Sequence, residues 1–369
     1  MEKEYMREKF SSIEDNRHPS YIEHNLADIL IIIMSAVLCG LDGLADIMVH
    51  AQNRAKFFQS NFGIKQIPSK PTLSRVLNMM DGDAVAKVII EIMKERADIV
   101  GNIIAVDGKA IRSTSKPGNP HSALQILTAY LTECCVVVGQ KAIHDKTNEI
   151  PVFQAMLELL DIKGKTITGD AMHCQKETCG RIIASGGHYV FGLKENQKTL
   201  FDDAALFIND ETNSENIEKF TAVQKSHGRI EKRICQKVTD ISWLCGREEW
   251  IGLQSVFAVR RITIKSNKVT DETCYYITST DATAEELLRI VREHWKIESM
   301  HWILDVVFSE DECGLLSENG HKTLNILRKL ALLLHKNFIA KLHRKVSIKA
   351  NLLNCLMSDD MLCRVLGSL

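Results

Sequence analysis

Residues 102–108 have the sequence Asn-Ile-Ile-Ala-Val-Asp-Gly, a short β-branched run that ends in an acid and a glycine. A second such run, 165–169, has the sequence Lys-Thr-Ile-Thr-Gly and is followed by Asp170. Strand and helix patterns alternate around these runs. We expect strands at 124–131, 134–143 and 188–193, and helices at 151–160 and 175–185. This alternation predicts an α/β domain with a mixed or parallel sheet.

The regions outside this segment have other patterns. Apolar periodicity at 26–50 and 72–96 predicts helices, the second with Ser69 as its cap, and residues 1–98 are expected to form a helical accessory domain. Residues 199–281 contain a helix followed by alternating runs, which predicts a β-rich insertion. A long helix is expected from Thr283 to beyond Asp305, and further helices from there to the C-terminus.

The composition is that of an ordinary globular protein, with 45% hydrophobic and 25% charged residues in a chain of 369. A net charge of −1 neither favours nor excludes a nucleic-acid partner, because a DNA-binding protein concentrates positive charge on one face. The 11 cysteines include no Cys-x-x-Cys, which argues against a zinc ribbon. Without an N-terminal apolar signal or a membrane-length apolar run, we expect a cytoplasmic protein with no membrane partner.

Two aspartates occupy similar positions, since Asp107 and Asp170 each follow a short strand pattern. In open α/β sheets, ligand sites lie beyond the strand ends. If the two strands are neighbours, both carboxylates point at one spot. The alternative is that each aspartate only caps a turn.

The third acid, Glu298, lies on the long helix. Steps of three and four residues place it on one face with the apolar side chains of Leu288, Val291, Trp295 and Trp302. The same face ends in a second acid, Asp305. A carboxylate in an apolar stripe is costly unless it is paired or binds a metal. It could pair with a buried Lys or Arg, or it could join Asp107 and Asp170 as ligands.

Three carboxylates from separate segments suit Mg²⁺, which prefers oxygen ligands. Two such ions can activate an attacking oxygen and stabilise a leaving one, and we expect Asp107 to bridge them. A competing hypothesis uses His294, Glu298 and His301, which lie on one side of the helix, as zinc or di-iron ligands. That site needs a second Glu-x-x-His, and the only other one is at 318–321.

Basic residues suggest contacts with DNA phosphates. Residues 319–350 contain eight Lys or Arg and no acid, among them Lys341, Arg344 and Lys345. Further candidates are Lys109, Arg112 and Lys116 beside Asp107, Lys194 and Lys198 after a strand, His227, Arg229 and Arg233, and His294 on the long helix. A solvated helix face is the alternative explanation for the long basic stretch.

At these residues the chain resembles the H-repeat-associated transposases of bacterial insertion sequences, within the wider DDE class. The resemblance covers nearly the whole chain, including an N-terminal part from Arg17 to Gly40 that resembles the associated helical domain of the family. The matching segments are AVDGKAIR (105–112), VGQKAIHDKTNEIP (138–151), LDIKGKTITGDAMHCQK (160–176), GGHYVFGLKENQ (186–197), SHGRIEKR (226–233) and REHWKIESMHWILDVVFSEDEC (292–313).

The resemblance implies a ribonuclease-H-like catalytic domain at 99–350, with the β-rich insertion before the helix that bears the third acid, and a C-terminal helical tail at 351–369. It implies Asp107, Asp170 and Glu298 as catalytic residues and metal ligands for two Mg²⁺ ions, for which Mn²⁺ would substitute. The wider class carries a Tyr-Arg-Glu-Lys signature. At that spacing this chain has Val291, His294, Glu298 and Asp305, so only the Glu is kept.

The implied function is DNA transposition, by metal-dependent cleavage at transposon ends and strand transfer to target DNA. The implied partners are double-stranded DNA, as transposon ends and target, and further copies of the chain in a homodimer or higher synaptic assembly. Two alternatives remain: a host DNA-binding protein that has lost transposition, and a repair-type nuclease on the same fold. Metal-dependent nicking would exclude the first, and strand transfer the second.

Overall fold

The computed structural model of this chain describes residues 2–41, 43–97, 99–116, 118–119, 122–143, 149–226, 228–265, 268–315 and 317–368. Within these residues the chain forms one nine-stranded mixed sheet with helices on both faces. The predicted α/β class is therefore confirmed. No described helix has the length and apolar character needed to cross a membrane.

The N-terminal region is helical, as predicted, but its helices are shorter than the periodicity suggested. They are α1 (Glu2–Ser11), α2 (Leu26–Leu38), α3 (Leu44–Asn53), α4 (Ala55–Phe62), α5 (Lys70–Met79) and α6 (Gly82–Arg96). The predicted helix at 26–50 breaks near Gly40, whose φ of +78° suits glycine. The one at 72–96 breaks at Asp81, whose side chain accepts the N–H groups of Asp83 and Ala84 and so caps α6. Ser69 caps α5, as predicted.

The strands form a single sheet. They are β1 (Ile103–Ile111), β2 (Leu124–Leu131), β3 (Val136–Ile143), β4 (Thr166–Gly169), β5 (His188–Leu193), β6 (Glu218–Ser226), β7 (Arg229–Val238), β8 (Ser255–Lys265) and β9 (Lys268–Thr278). Their order is β3-β2-β1-β4-β5-β9-β8-β7-β6. The first five form the ribonuclease-H-like part, with β1 to β3 antiparallel and β4 and β5 parallel to β1. The β-rich insertion extends the same sheet, because β9 pairs with β5.

Helices cover the two faces of the sheet unequally. One face packs against α7 (Glu149–Leu157), α8 (Lys176–Ala184) and α9 (Lys198–Asn209). The other packs against α10 (Ala284–Val306) and α11 (Glu318–Ala340), followed by α12 (Ile348–Met357) and α13 (Asp359–Leu366). The N-terminal helices share a hydrophobic core with α11, α12 and α13. Helix α10, which carries Glu298, thus lies on the same face of the sheet as α11.

Candidate active site

The strand register brings the two candidate aspartates together. Val106 of β1 pairs with Gly169 of the parallel strand β4, so Asp107 and Asp170 occupy the next positions on neighbouring strands. Adjacent strands are about 4.8 Å apart, and side chains in register point to the same face. The prediction that both strands neighbour each other and aim their carboxylates at one spot agrees with this register.

One part of that prediction is wrong. Asp170 follows the end of β4, but Asp107 lies in the middle of β1, where it pairs with Thr128 of β2. The Asp-Gly pair resembles a turn signal, which made the strand look shorter. The strand continues because β2 pairs with it as far as Ile111, beyond the point at which β4 ends.

Helix α10 passes over β1 and brings Glu298 to the two aspartates. A capping box formed by Thr283 and Glu286 starts the helix at the predicted residue. The expected packing stripe is right in its first part, where Leu288 and Val291 are buried, and wrong beyond it, because the side chains of Trp295 and Trp302 are 47% and 59% exposed. The side chains that pack instead lie about one residue, or roughly 100°, around the helix. They are Leu287, Ile290, Ile297, Met300, His301 and Leu304, and they leave Glu298 exposed at the edge of the contact.

Two histidines of α10 contact the aspartates. His301 Nδ1 lies 3.2 Å from Asp107 Oδ2, and His294 Nε2 lies 3.9 Å from Asp170 Oδ1. His294 also bonds through Nδ1 to Thr168 Oγ1 at 2.9 Å. Burial lowers the pKa of His294, although the negative charges of Asp170 and Asp107 act to raise it. His294, which the sequence suggested as a DNA contact, is thus half-buried and faces Asp170.

The three acids share an electrostatic environment. Partial burial raises the pKa of the Glu298 carboxyl, and the negative charges of Asp107 and Asp170 raise it further. Within the described residues, none of the three acids forms an ion pair with Lys or Arg. Oxygen donors that repel one another in this way fit a hard divalent cation. Over the same described ranges, no group of three or more His, Cys, Asp or Glu side chains lies closely enough together to form a ready-made metal site.

The zinc or di-iron hypothesis gains no support from the second Glu-x-x-His. His321 is buried at the start of α11, where its Nε2 lies 2.9 Å from the carbonyl oxygen of Leu315. His301 and His294 are each engaged with an aspartate rather than with a second helix. The two histidines therefore lie beside the carboxylates of the candidate site.

A cavity of about 500 Å³ opens beside the acids. Asp170, His294, Trp295 and Glu298 line it, together with Lys194, which directly follows β5. Lys194 is exposed, so its ammonium can reach a phosphate at the mouth of this cavity. Two of the three candidate acids, Asp170 and Glu298, thus border a space that a ligand can enter.

Lys109 has a different role from the one predicted. It lies two residues after Asp107 on the same face of β1 and is 8% exposed. Its Nζ lies 2.7 Å from Asp305 Oδ1 of α10 and 2.9 Å from the carboxylate of Glu310, which is 0% exposed. We therefore do not propose Lys109 as a DNA contact, since its ammonium is buried among acids. The pair instead ties α10 to β1, one helical turn beyond the contact between His301 and Asp107.

The long basic stretch is also different from the expectation. Its first four basic residues are directed into the protein, with partners on other elements: Lys322 with Asp83, Arg328 with Glu310, Lys329 with Thr128 and Gln140, and Lys336 with Tyr130. Lys341, Arg344 and Lys345 lie beyond the end of α11 and are exposed. Only this last part of the stretch is available to DNA.

The remaining candidates lie at the surface or outside the described part of the chain. The Arg112 side chain is 85% exposed, with Nε 3.6 Å from Asp311 Oδ2. Arg229 begins β7, and its side chain is 48% exposed and lies 3.0 Å from Glu231. His227 lies outside the described residues, as do residues 144–148 of the segment at 138–151.

Comparison with known proteins shows which of them this chain resembles. Among solved structures, a piggyBac transposase synaptic complex with hairpin DNA overlaps 98% of this chain and 79% of that chain, with 9% identity and a TM-score of 0.48. The "H repeat-associated putative transposase YhhI" of Escherichia coli (strain K12) is 32% identical over 365 residues, which cover 94% of this chain and 95% of that protein. The "Putative transposase YncI" of Escherichia coli O157:H7 is 33% identical over 331 residues, 87% of this chain and 85% of that protein.

Two family models divide the chain between them. Residues 7–93 match the model described as "DDE_Tnp_1-associated", and residues 100–334 match the one described as "Transposase DDE domain". The second match contains Asp107, Asp170 and Glu298. Since that match covers more than half of the chain and the relatives align along most of its length, this protein belongs to the H-repeat-associated family of DDE transposases.

Proposed function

We propose that this protein cuts DNA at transposon ends and joins the freed 3′-OH to target DNA, using two divalent ions held by Asp107, Asp170 and Glu298. The observation that supports this most directly is that Asp107 and Asp170 lie in register on neighbouring strands and act electrostatically on Glu298 of α10, with no Lys or Arg partner among the described residues. Such an arrangement repels itself until a cation binds.

Each acid has a separate contribution in this proposal. Asp107, from the middle of β1, would be a ligand shared by both ions, and Asp170 and Glu298 would each hold one of them. Bound Mg²⁺, or Mn²⁺ in its place, would supply the Lewis acidity that activates the attacking oxygen and stabilises the leaving one. His301 lies close enough to Asp107 to orient its carboxylate, while His294 faces Asp170 at a longer distance.

The proposed reaction consists of two successive phosphoryl transfers. In the first, a water oxygen attacks the phosphorus at the transposon end, the bond to the 3′ oxygen breaks, and a 3′-OH and a 5′-phosphate result. In the second, that 3′-OH attacks a target phosphodiester and releases a target 3′-OH. The cavity beside Glu298 has room for the scissile phosphate, with Lys194 at its mouth. Two ends and one target imply a homodimer or larger assembly on double-stranded DNA.

One experiment decides between this proposal and its rivals. The protein is incubated with labelled duplexes taken from the DNA that flanks its own coding sequence, together with a supercoiled plasmid. With Mg²⁺ we expect nicked ends and plasmid joined to the label, and with EDTA neither product. Binding without any nick in Mg²⁺ would indicate a DNA-binding protein, and nicking without joining would indicate a nuclease.

The exposed residues after α11 are proposed to add sequence-independent affinity. Changing Lys341, Arg344 and Lys345 together to Ala should weaken binding to every duplex. The slope of log K against log salt should flatten by about 0.9 for each phosphate that the variant no longer neutralises. Titration of a labelled duplex at several KCl concentrations measures this slope. An unchanged slope would mean that this segment faces away from DNA.

A further inference from the structure

The insertion strands carry arginines on the face that looks toward α10. Closest to the helix this face is apolar, because Cys235, Phe257 and Val259 pack under Leu288 and Val291. Side chains on a strand alternate between faces, so Arg233 on β7 and Arg261 on β8 follow on the same side. They are also direct partners in the register of β7 and β8.

Two like charges directly opposite each other on neighbouring strands destabilise a sheet. Nothing in the fold requires this pair, since the same strands carry uncharged cross-strand pairs such as Cys235 with Val259. An arrangement that costs folding stability suggests a function for the charges.

We use the name arginine groove for a cavity of about 350 Å³ between these strands and α10. Its charged lining consists of Arg229, Arg233, Arg261, Arg292, Glu231 and Glu272. Four guanidinium groups thus face two carboxylates, an excess of two positive charges.

The carboxylates are shared among the arginines. Glu231 pairs with Arg229 at 3.0 Å and also with Arg233, and Glu272 pairs with Arg261 at 2.6 Å. Arg292 donates to the amide oxygen of Gln224 at 3.2 Å, and no carboxylate pairs with it within the described residues. The excess positive charge therefore lies on Arg292 and on Arg229 and Arg233, which share one carboxylate.

Burial adds to the electrostatic cost of this cluster. The side chain of Arg233 is 17% exposed. Burial lowers its pKa, Glu231 opposes that change, and the charges of Arg292 and Arg261 lower the pKa further. An anion in the groove would relieve this repulsion, and phosphate oxygens match the donor geometry of guanidinium groups.

The arginine groove adjoins the cavity beside the candidate catalytic acids. Cys274, Tyr276, Val291 and Trp295 line both spaces. Trp295 lies between them, with the guanidinium carbon of Arg261 5.7 Å from the centre of its ring. A polymer of phosphates that occupies one space can therefore continue into the other.

We propose that the arginine groove binds the phosphate backbone of the DNA strand that enters the active site. This inference rests on the proposed function, because it takes the strand that is cut as its ligand. It adds a binding site on the β-rich insertion, built from Arg233 and Arg261 with Arg292 of α10. Its role is to hold the strand on the insertion side of Glu298.

The test compares two variants by DNA affinity in EDTA, where no cleavage occurs. The first is the double variant Arg233→Gln with Arg261→Gln. The second is Arg260→Gln, a matched control next to Arg261 on β8 that points to the opposite face and pairs with Asp271 at 2.6 Å. The probe is a fluorescein-labelled duplex from the flanking DNA, titrated over a range of KCl concentrations. Because two phosphates would no longer be neutralised, the salt slope should fall by about 1.8 in the double variant and stay unchanged in Arg260→Gln.

Folding provides a second readout. The double variant removes a like-charge pair but also removes partners of Glu231 and Glu272, so its urea midpoint is measured to confirm that the DNA titrations use folded protein. An unchanged salt slope, or an equal loss in Arg260→Gln, would overturn the arginine groove as a DNA site. Equal loss of binding to inorganic polyphosphate and to DNA would show a general polyanion site instead and would likewise overturn the proposal.

The two proposals fail separately. If the wild type cuts flanking DNA in Mg²⁺ while the double variant keeps its salt slope, only the arginine groove is wrong. If the slope falls as expected but no wild-type cleavage is found, the groove stands as a DNA site and the transposition proposal fails.

Discussion

Changing Asp107 to Asn, Asp170 to Asn or Glu298 to Gln, one at a time, should abolish DNA cleavage while the protein stays folded. Each change removes a charged oxygen donor, and metal ligation is worth several kcal/mol to the transition state. A loss of about 4 kcal/mol corresponds to about 10³-fold in rate. Gel assays of nicked and joined products in Mg²⁺ measure the effect.

The same changes should leave stability unharmed, and the reason is electrostatic. The charges of Asp107 and Asp170 raise the pKa of Glu298, so removing one negative charge reduces repulsion in the absence of metal. The matched control is Glu285→Gln, an exposed acid in the first turn of the same helix, which should cleave like the wild type. A variant that folds and cleaves near the wild-type rate would show that its residue is not a ligand.

Local sequence patterns were sufficient for most of the sheet. The bounds of β2 and β5 agree with the predicted strands, because runs of β-branched and aromatic residues there end at clear turn signals. The position of Asp107 in the middle of β1 could not be predicted from such a local pattern. Its strand is extended by pairing with β2 alone, and that pairing depends on a hairpin partner more than ten residues away in sequence.

The face of α10 was misjudged for a related reason. Tryptophan counted as apolar in the stripe, yet Trp295 and Trp302 lie at the surface on either side of Glu298. The helix instead presents His294 and His301 to the sheet, where Thr168 and Asp107 provide polar partners. The spacing of His294 and His301 did place them on one side of the helix with Glu298, but the sequence offered them as metal ligands and did not show which residues of the sheet they face.

The basic residues of α11 did not form the predicted DNA surface, because their acidic partners come from other parts of the chain. Residues 319–350 contain no acid, but Asp83 of the N-terminal region and Glu310 before the helix reach its basic side chains. Lys329 is buried and bonds to the uncharged Thr128 and Gln140, and burial lowers its pKa to about 7 although the charge of Glu310 opposes that change. A run of like charges is evidence for a DNA surface only when the fold leaves it exposed.

The largest loss of stability is expected from Glu310→Gln. Glu310 is fully buried, and its carboxylate accepts from Lys109 at 2.9 Å, Asn325 at 2.9 Å and Arg328 at 3.3 Å. The Gln amide would turn an NH₂ group toward these donors and leave two buried cations without their shared acid. Breaking a buried ion pair in this way costs about 3–5 kcal/mol. Urea unfolding monitored by circular dichroism measures it.

The pH dependence has a definite sign. Burial alone would raise the pKa of Glu310, but the charges of Arg328 and Lys109 and its hydrogen bonds lower it to about 2 from the ordinary 4.5. Because the folded-state pKa is depressed, the stabilisation is present above pH 4.5 and is lost as the pH falls toward 2. The difference in unfolding free energy between wild type and Glu310→Gln should therefore shrink across that range.

Glu312→Gln is the control, since Glu312 is exposed two residues further along and its change should stay within about 0.5 kcal/mol of the wild type. A Glu310→Gln protein as stable as this control would contradict the prediction.

The buried contacts of Glu310 with Lys109 also bear on the candidate active site. Two residues of β1 advance about 6.6 Å and four residues of α10 advance about 6 Å, so the Lys109–Asp305 pair continues the register of Asp107 with His301. Loosening it should shift Glu298 relative to the aspartates, and cleavage by the folded fraction of Glu310→Gln should fall as well.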